Sequence, residues 1–543
     1  AQRLGLDALL ASLPPDHPRV GAAFATIGET LLRAGQPAIA RQSLEHAVTI
    51  QQAAGDTLRA GRALLTLAAV MGTLGEPQTA LSMASDGRNM MAATLPPGHP
   101  DLIRATFNQS WLALAAGDAA VALPLARAAL TDYVTIVSRV GADATIASAQ
   151  EPNMRRQVLA LTAAAWDSDP DSAALLDEAF RAAQWAQNSQ AARATQRMSA
   201  RFAAGSGELA ALARRKQDLV NLWSARDGEY LVALARPGAP APRETEALEQ
   251  ELAALDAELA SRFPDYAALV SPGVLSVPQL QALLKPREAL IMALPTFDET
   301  CVFAISPTSA GWTRVGLTSA DLDAAIRWLR ADLDPNAPSR TAAALDDTPA
   351  PQGKSYDRSL AYQLYSRLLA PLQPVFQGAD TLLVVADGPL SSLPLQVLVT
   401  SPPDGDDADP QAQRDTEWFV KRHAFATLPS VLSLKALRRN PHVSAATSFV
   451  GFGAPSLTGQ SATPAPLARF FDGGSTRLEA VRALAPLPGT RRELLGLAKV
   501  LSAPQSAVRL GADATEAALR AAPDMTDARI LALATHGLLA GDI

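Results

Sequence analysis

Two nearly identical hexapeptides near the amino end are the strongest constraint on how this chain folds. LPPDHP occupies residues 13–18 and LPPGHP occupies residues 95–100, so the copies lie 82 residues apart, which is two periods of 41. A repeat of this length indicates a solenoid of stacked units, because each unit can bury its apolar face only against its neighbours. The prolines predict a break in the chain between units.

A set of small residues follows the same period. Each unit has a glycine and then small residues five and twelve positions later: Gly35, Ala40 and Ala47; Gly75, Ala80 and Gly87; Gly117, Ala122 and Ala129. The glycine predicts a turn, and the small residues predict a second helix that crosses the first at close range. Over about residues 12–135 the pattern resembles tetratricopeptide (TPR) repeats of the long kind found in kinesin light chains. The resemblance implies an all-α solenoid that binds a protein or peptide ligand.

Residues 1–150 are thus assigned to the TPR-like repeats, and residues 151–270 are predicted to form a helical hairpin or coiled-coil spacer. The segment RPGAPAPRE at 236–244 interrupts the helical pattern. Four leucines follow it at 4-3-4 spacing, which is typical of a coiled-coil seam: Leu248, Leu252, Leu255 and Leu259.

Residues 271–543 have a different pattern, in which short apolar strands alternate with helices. Strands of this kind indicate an α/β domain with a mostly parallel sheet that is covered on both faces. Two connections rich in Pro and Asp, 334–357 and 401–416, are expected to be mobile loops. The predicted fold class is therefore multidomain, with an all-α solenoid and spacer before an α/β domain.

Composition argues against several functions. The chain has one cysteine, Cys301, and six scattered histidines with no HxxxH or CxxC pair, so we predict no metal site and no disulfide framework. No cofactor is implied. A net charge of −7 argues against nucleic acid as a main partner, and no apolar run is long enough to span a membrane. The single cysteine favours the cytoplasm, but the chain does not begin with Met, which leaves a lost signal peptide open.

The last predicted strand brings a histidine to the edge of the sheet. ARILALATHG at 528–537 ends in Thr535, His536 and Gly537. Open α/β folds build their sites at the carboxyl ends of parallel strands, so His536 is a candidate catalytic group. The alternative is a structural histidine at a strand end.

Six segments, in this order, carry a second resemblance: DTLLVVADGPLSSLPLQVLVT, HAFATLPSVLSLKALRR, SFVGFGAP, LAPLPGTRREL, LGADATEAALRAA and ARILALATHG. Over roughly residues 275–543 they resemble the CHAT domain, a caspase- and separase-like peptidase domain commonly found behind TPR repeats. The resemblance implies a cysteine–histidine dyad in which His536 is the general base. Gly537 would let a substrate backbone approach and is a candidate N–H donor to the oxyanion. The family's cysteine follows the next core strand and is not among these 543 residues.

The resemblance implies that the intact protein is a cysteine endopeptidase of protein substrates, whose caspase-like α/β domain is incomplete at its carboxyl end in this chain. The repeats would recruit a partner or hold the peptidase inactive. The 543 residues alone are expected to be inactive, since they lack the nucleophile. The alternative is a non-catalytic interaction scaffold whose caspase-like domain has lost its dyad.

Other polar or reactive residues are interpreted as structural. Cys301 lies inside an apolar strand, where a buried thiol is expected. The run Gly451-Phe452-Gly453 lacks a GxGxxG or GK[ST] motif and is predicted to be a strand-end turn. The remaining residues are Asp387, a weaker site-lining candidate; Ser391 and Ser392, without a GxSxG motif; His423, at a strand start; and His17 and His99, in the turns of the repeats.

Overall fold

The computed structural model describes residues 9–95, 98–140, 144–187, 207–234, 245–263, 274–333, 355–439, 447–457, 471–472, 475–476, 487–525 and 528–535. The chain divides into two compact units, residues 1–435 and 436–543. The first unit holds the helical repeats and one β-sheet, and the second unit holds another sheet. None of the described helices combines the length and apolar character needed to cross a bilayer.

The amino-terminal repeats are helices that pack against their neighbours along the chain, with tight turns at the repeat glycines. The helices are α1 (Pro18–Arg33), α2 (Pro37–Ala53), α3 (Thr57–Thr73), α4 (Pro77–Ala92), α5 (Pro100–Ala115), α6 (Ala119–Val140) and α7 (Ala144–Ser168). Gly35, Gly75 and Gly117 have φ values of 71°, 82° and 74°, which favour glycine, and each lies between two helices of a pair. The helical repeat with a turn at each of these glycines is therefore confirmed.

The predicted small residues lie where neighbouring helices cross. All six of the small residues that follow the repeat glycines are buried. Gly87 on α4 faces Gly61 on α3, and a Cβ built at Gly87 would lie 2.9 Å from the Gly61 carbonyl oxygen. His17 and His99 cap α1 and α5, because each Nδ1 accepts a hydrogen bond from a backbone N–H two residues later. The hexapeptides thus mark helix starts.

Helix α7 joins the solenoid to the first sheet. Its residues 157–165 are buried without interruption, so the helix is covered on all sides over this stretch. One continuous apolar core runs from Ala113 and Ala122 of the repeats, past Leu161 of α7, to Leu290 and Phe303 of the sheet. The repeats and the first sheet therefore share a core.

The predicted spacer contains a helical hairpin. Helix α8 (Ala173–Ala186) precedes two longer helices, α9 (Glu208–Leu234) and α10 (Glu246–Arg262). Arg262 pairs with Glu208 and Lys216 pairs with Asp256, so α9 and α10 are antiparallel. Their seam contains the four predicted leucines together with Leu209, Leu212, Leu219, Trp223 and Phe263.

The first sheet has five strands in the order β3-β2-β1-β4-β5. The strands are β1 (Glu288–Pro295), β2 (Thr300–Ile305), β3 (Ala310–Val315), β4 (Thr381–Ala386) and β5 (Ala424–Thr427). Strands β1, β4 and β5 are parallel, as predicted, but β2 and β3 are antiparallel to their neighbours. The connections 296–299 and 306–309 explain this difference, because a parallel crossover needs about a dozen residues or more.

Helices cover both faces of this sheet. Leu290, Met292 and Phe303 pack under α7, α8, α11 (Val277–Gln281) and the start of α16 (Val431–Arg439). Ile291 and Val384 pack on the other face. That face is covered by α12 (Ser319–Leu333), α13 (Arg358–Leu368) and α14 (Gln373–Phe376).

The segment 401–416 was expected to be a mobile loop, and this prediction is wrong. Arg358 is only 1% exposed, and its guanidinium donates hydrogen bonds to four residues of the segment. Nη1 donates to the Ala412 carbonyl at 2.9 Å and to Thr416 Oγ1 at 2.8 Å, Nη2 donates to the Gly405 carbonyl at 3.0 Å, and Nε donates to Asp407 Oδ1 at 2.5 Å. A short helix, α15 (Pro410–Asp415), lies within the segment. Most of the other predicted loop, residues 334–354, lies outside the described residues.

The second unit contains a three-stranded parallel sheet in the order β10-β6-β9. Its strands are β6 (Val450–Pro455), β9 (Val508–Gly511) and β10 (Leu531–Ala534), and a separate two-stranded ribbon pairs β7 (Phe471–Asp472) with β8 (Ser475–Thr476). Helix α17 (Pro488–Val500) covers one face through Leu494 and Ala498. Helix α18 (Glu516–Ala521) packs on Val450 and Phe452 of the other face.

Candidate active site

The predicted strand before the candidate histidine is present at one edge of the three-stranded sheet. Strand β10 pairs in parallel with β6, with Leu531 opposite Val450 and Ala534 opposite Gly453. The Val450 N–H donates to the Ile530 carbonyl at 2.9 Å. Thr535 follows at the carboxyl end of β10. His536 and Gly537 lie outside the described residues, so their roles stay predictions.

Gly451 and Gly453 lie inside β6, so the predicted strand-end turn is wrong. Both glycines are on the face covered by α17, whose Leu494 is fully buried. Their partners on β10 are Ala532 and Ala534, which are also small. The absence of larger side chains lets α17 approach the sheet closely, and this packing explains the two glycines.

The carboxyl end of β6 has an irregular backbone. The register between β6 and β9 shifts between Gly453 and Pro455, which marks a β-bulge. Ala454 within the bulge has a φ of 44°, in the left-handed region. This conformation costs an alanine roughly 1–2 kcal/mol, and such strain is often found next to functional sites. The bulge lies beside the end of β10, because Gly453 is the partner of Ala534.

The two faces of β10 differ. Ala532 and Ala534 pack towards α17. Leu531 and Leu533 lie on the opposite face and are 43% and 59% exposed, although their neighbours Val450 and Phe452 on β6 are buried. Among the described residues, the strand that leads to Thr535 therefore packs against α17 on one face, and Leu531 and Leu533 stay partly exposed on the other.

The sole cysteine of the sequence is not available as a nucleophile. Cys301 is 1% exposed on β2, with its Sγ 3.8 Å from Thr162 Oγ1 and 3.8 Å from a Glu299 carboxylate oxygen. Burial, assisted by the negative charge of Glu299, raises the pKa of the thiol to about 12. The expectation that Cys301 is buried is confirmed, and it would carry almost no thiolate at neutral pH.

Asp387 lies at the carboxyl end of β4, but an arginine occupies it. Arg155 on α7 donates from Nη2 to Asp387 Oδ2 at 2.5 Å and from Nη1 to the Pro295 carbonyl at 3.0 Å. Asp387 Oδ1 accepts a hydrogen bond from the Gly388 N–H at 2.8 Å. The carboxylate is thus held inside the protein rather than offered to a ligand. No local signal in the sequence identified Arg155, because it lies 232 residues from its partner.

The remaining candidates have local structural roles. Ser391 and Ser392 donate to the Gly388 and Pro389 carbonyls within one turn. His423 is buried, with Nδ1 2.7 Å from the Ala379 carbonyl and its ring against Phe376 and Phe419. In the described part of the chain, no group of three or more His, Cys, Asp or Glu side chains is placed to hold a metal ion.

Comparison with known proteins supports the assignment of this region. The family model of the CHAT domain matches residues 358–542, about a third of the chain, so the resemblance to that domain is confirmed there. The matched segment includes β4 and β5 of the first sheet and all strands of the second unit. No curated protein matches the chain.

One solved structure that resembles the chain is described as a kinesin light chain with nearly identical TPR-like repeats, from Podosopora anserina. It is 14% identical, with a TM-score of 0.27, and the alignment covers 46% of this chain and 99% of that one. The repeat architecture is established here by the helices and turns of the chain itself.

Proposed function

We propose that this chain is the recognition and base-bearing part of a cysteine endopeptidase, with His536 as general base. The observation that supports the proposal is the position of β10. It lies beside the strained carboxyl end of β6 in a parallel sheet, within the segment that matches the CHAT domain, and it leads directly to Thr535 and His536. The carboxyl ends of parallel strands are where open α/β folds build their sites.

The chemistry requires a thiol beside that imidazole. An ordinary cysteine has a pKa near 8.5 and is only a few per cent thiolate at neutral pH, so a neighbouring imidazole that accepts the proton increases the population of the nucleophile. The thiolate attacks the peptide carbonyl, and the tetrahedral oxyanion accepts backbone hydrogen bonds, with the Gly537 N–H as a candidate donor. The imidazolium then gives its proton to the leaving amine. Water hydrolyses the resulting thioester.

The nucleophile of this proposal is a cysteine encoded outside these 543 residues, because Cys301 is buried with a raised pKa. The chain alone is therefore expected to be inactive as a peptidase. The decisive protein is a longer product of the same reading frame. A cysteine at the end of the next strand supports a peptidase, and another residue there supports the non-catalytic scaffold.

Three variants of the longer product test the dyad. Replacing the new cysteine with Ala, or His536→Ala, should each lower cleavage of a bound partner by about 10⁴-fold or more, because the two groups act as a unit. Lys285→Ala is the control, since Lys285 is exposed just before β1, lies outside the repeats and the second unit, and should leave cleavage unchanged. Cleavage that persists in His536→Ala would refute the assigned role.

We further propose that the helical repeats recruit the protein substrate or a regulatory partner. The stacked helical pairs present the extended surface that such solenoids use for binding. A protein captured by the 543-residue chain should be cleaved by the longer product. It should stay bound and intact with the His536→Ala form of that product. A captured protein that is never cut would instead indicate a regulatory partner or a scaffold.

A further inference from the structure

The first helices of the three repeats carry an excess of arginine, although the chain as a whole has a net charge of −7. Helices α1, α3 and α5 together contain five arginines and two carboxylates. In a stacked solenoid, residues at the same position of successive units form a row on one surface. The repeat glycines mark these positions in the sequence.

Two such rows lie near the starts of the three helices. One row lies 16 residues before the repeat glycine and the other lies 13 residues before it: Arg19, Arg59 and Asp101, then Ala22, Arg62 and Arg104. All four arginines are exposed. Residues three apart lie on the same side of a helix, so the two rows form one surface, here called the basic face.

A carboxylate of the protein itself shows what the basic face can bind. Asp101 on α5 accepts a hydrogen bond through Oδ1 from Arg104 Nη2 at 2.8 Å, and another through Oδ2 from Arg62 Nη2. Arg62 belongs to α3, so the carboxylate lies between the arginines of two neighbouring repeats. The side chains of Arg62 and Arg104 remain 43% and 65% exposed.

Two positive charges share one negative charge at this point, so the group keeps a net charge of +1 on an exposed surface. A guanidinium is planar, always charged, and has N–H donors that match a carboxylate. A carboxylate from another molecule is therefore attracted to Arg62 and Arg104. Asp101 competes with it, because both carboxylates need the same donors and repel each other.

The other two arginines of the basic face extend it across the repeats. Arg59 pairs with Asp56, the N-cap of α3, at 2.6 Å. Arg19 on α1 has no carboxylate partner among the residues that the structure describes. The face therefore offers positive charge to a ligand on all three first helices.

We infer that the basic face binds an acidic segment of the protein that the repeats recruit, with one of its carboxylates between Arg62 and Arg104. The inference deepens the recruitment proposed above and rests on it for the identity of the partner. The affinity for an acidic segment does not rest on it, because it depends only on the charges and contacts of the face.

The spacing of the repeats indicates the pattern of acidic residues in such a segment. Neighbouring first helices are in contact, and packed helices lie about 8–10 Å apart. An extended peptide rises about 3.3 Å per residue, so side chains about three residues apart match successive helices. The segment should therefore have acidic residues at about every third position.

The first test uses the 543-residue chain and a fluorescein-labelled peptide of four Glu-Ser-Ser units. Fluorescence anisotropy should report binding at low ionic strength, and the affinity should fall as salt is added, because exposed charges are screened. The corresponding peptide of Gln-Ser-Ser units should not bind. No binding of the glutamate peptide, or equal binding of the glutamine peptide, would overturn the inference.

Single substitutions locate the site. Arg62→Gln and Arg104→Gln should each weaken binding of the glutamate peptide by about fivefold or more, since each removes hydrogen bonds to a charged group. Arg41→Gln is the matched control: Arg41 is 44% exposed, nearly the same as Arg62, but lies on α2, where it pairs with Glu45. All three variants should keep the melting temperature of the parent, as usual for surface positions. An equal loss of affinity in Arg41→Gln would show attraction by overall charge alone and would refute the site.

Asp101→Asn tests the position assigned to the ligand carboxylate. The change removes the competing charge and keeps the size of the side chain, so the peptide should bind about threefold more tightly. Weaker binding by Asp101→Asn would contradict the placement of a ligand carboxylate between Arg62 and Arg104.

The last test returns to a protein captured by the chain. Arg62→Gln combined with Arg104→Gln should release that protein, whereas Arg41→Gln should retain it. Capture that is unaffected by the double variant would show that the partner does not use the basic face. If the longer, cysteine-containing product cleaves nothing, the proposed peptidase fails, but the peptide affinities still decide whether this face binds an acidic segment.

Discussion

The two sheets of this chain differ at the edge where α/β proteins usually build their sites. In the five-stranded sheet, the carboxyl ends of β1 and β4 are occupied by the Arg155 guanidinium, which binds Pro295 and Asp387. Helices cover both faces of that sheet. In the three-stranded sheet, the central strand ends in a strained Ala454, and β10 has Leu531 and Leu533 exposed.

The difference separates a scaffold from a candidate site. Arg155 and Asp387 form hydrogen bonds with each other at the edge of the first sheet, which stabilises the fold. Both carboxylate oxygens of Asp387 accept hydrogen bonds from within the protein, so they are not offered to a ligand. Where the backbone keeps strain, as at Ala454, stability has been given up locally, which is common at functional positions. The same type of parallel strand occurs in both sheets, so the two edges differ in the surroundings of their strand ends.

The largest effect on stability should come from truncating a buried leucine of the first sheet, compared with an exposed leucine of the second sheet. Leu383 on β4 is 5% exposed and Leu533 on β10 is 59% exposed. Leu383→Ala should lower the free energy of unfolding by about 2–5 kcal/mol because it leaves a cavity. Leu533→Ala should change it by less than about 0.5 kcal/mol, as usual for surface positions. Urea denaturation of the whole chain measures both. Equal losses of unfolding free energy in the two variants would show that Leu533 is as well packed in the folded chain as Leu383, and the contrast between the two sheets would fail.

The next effect concerns the occupied edge of the first sheet. Asp387→Asn removes the negative charge that faces Arg155 and should lower the free energy of unfolding by about 3 kcal/mol, because it breaks a mostly buried ion pair. Asp387→Leu combined with Arg155→Met removes both charges and should recover most of the loss. Thermal and urea unfolding of the three proteins give the comparison. A double variant no more stable than Asp387→Asn would argue against the pair as the reason for the loss.

The smallest effect tests whether the covered face of the first sheet excludes water. Because burial raises the pKa of Cys301 to about 12, the folded chain keeps this thiol protonated, whereas the unfolded chain releases the proton above roughly pH 8.5. The contribution of the Cys301 thiol to the free energy of unfolding is therefore constant below about pH 8.5. Above that pH it falls by about 1.4 kcal/mol per pH unit, until the pKa of the folded chain is reached.

The measurement compares the chain with Cys301→Ala by denaturation at pH 8 and pH 10. The alanine variant should lose less stability between the two pH values, since other titrating groups are common to both proteins. A thiol reagent should label Cys301 only as the protein unfolds. Rapid labelling of the native chain would show that the face is open.

Local backbone requirements made much of the fold predictable. Gly35, Gly75 and Gly117 each fill a position with positive φ, a demand that acts on one residue and therefore leaves a trace in the sequence. The leucine seam of the α9–α10 hairpin was predictable for a similar reason, because helical periodicity records which face is buried.

Long-range contacts explain what the sequence did not predict. The acidic, Pro-containing segment 401–416 has the composition of a mobile loop, but one buried arginine, Arg358, orders it from outside the segment. Gly451 and Gly453 look like a turn, whereas Leu494 and Ala534, which lie far along the chain, make glycine necessary there. The strand before His536 was predicted, but the close packing of Gly453 beside that strand depends on these distant contacts.

Helix α7 has a consequence for how this protein can change over evolution. Its stretch 157–165 is buried on every side and shared between the repeats and the first sheet. Inserting or deleting one residue there would turn everything before it by about 100° and shift it by about 1.5 Å. Whole repeats at the amino end, away from this shared core, can be gained or lost without that penalty, because each contacts only its neighbours. The number of repeats is therefore free to vary in descendants of this gene, while the length of α7 is not.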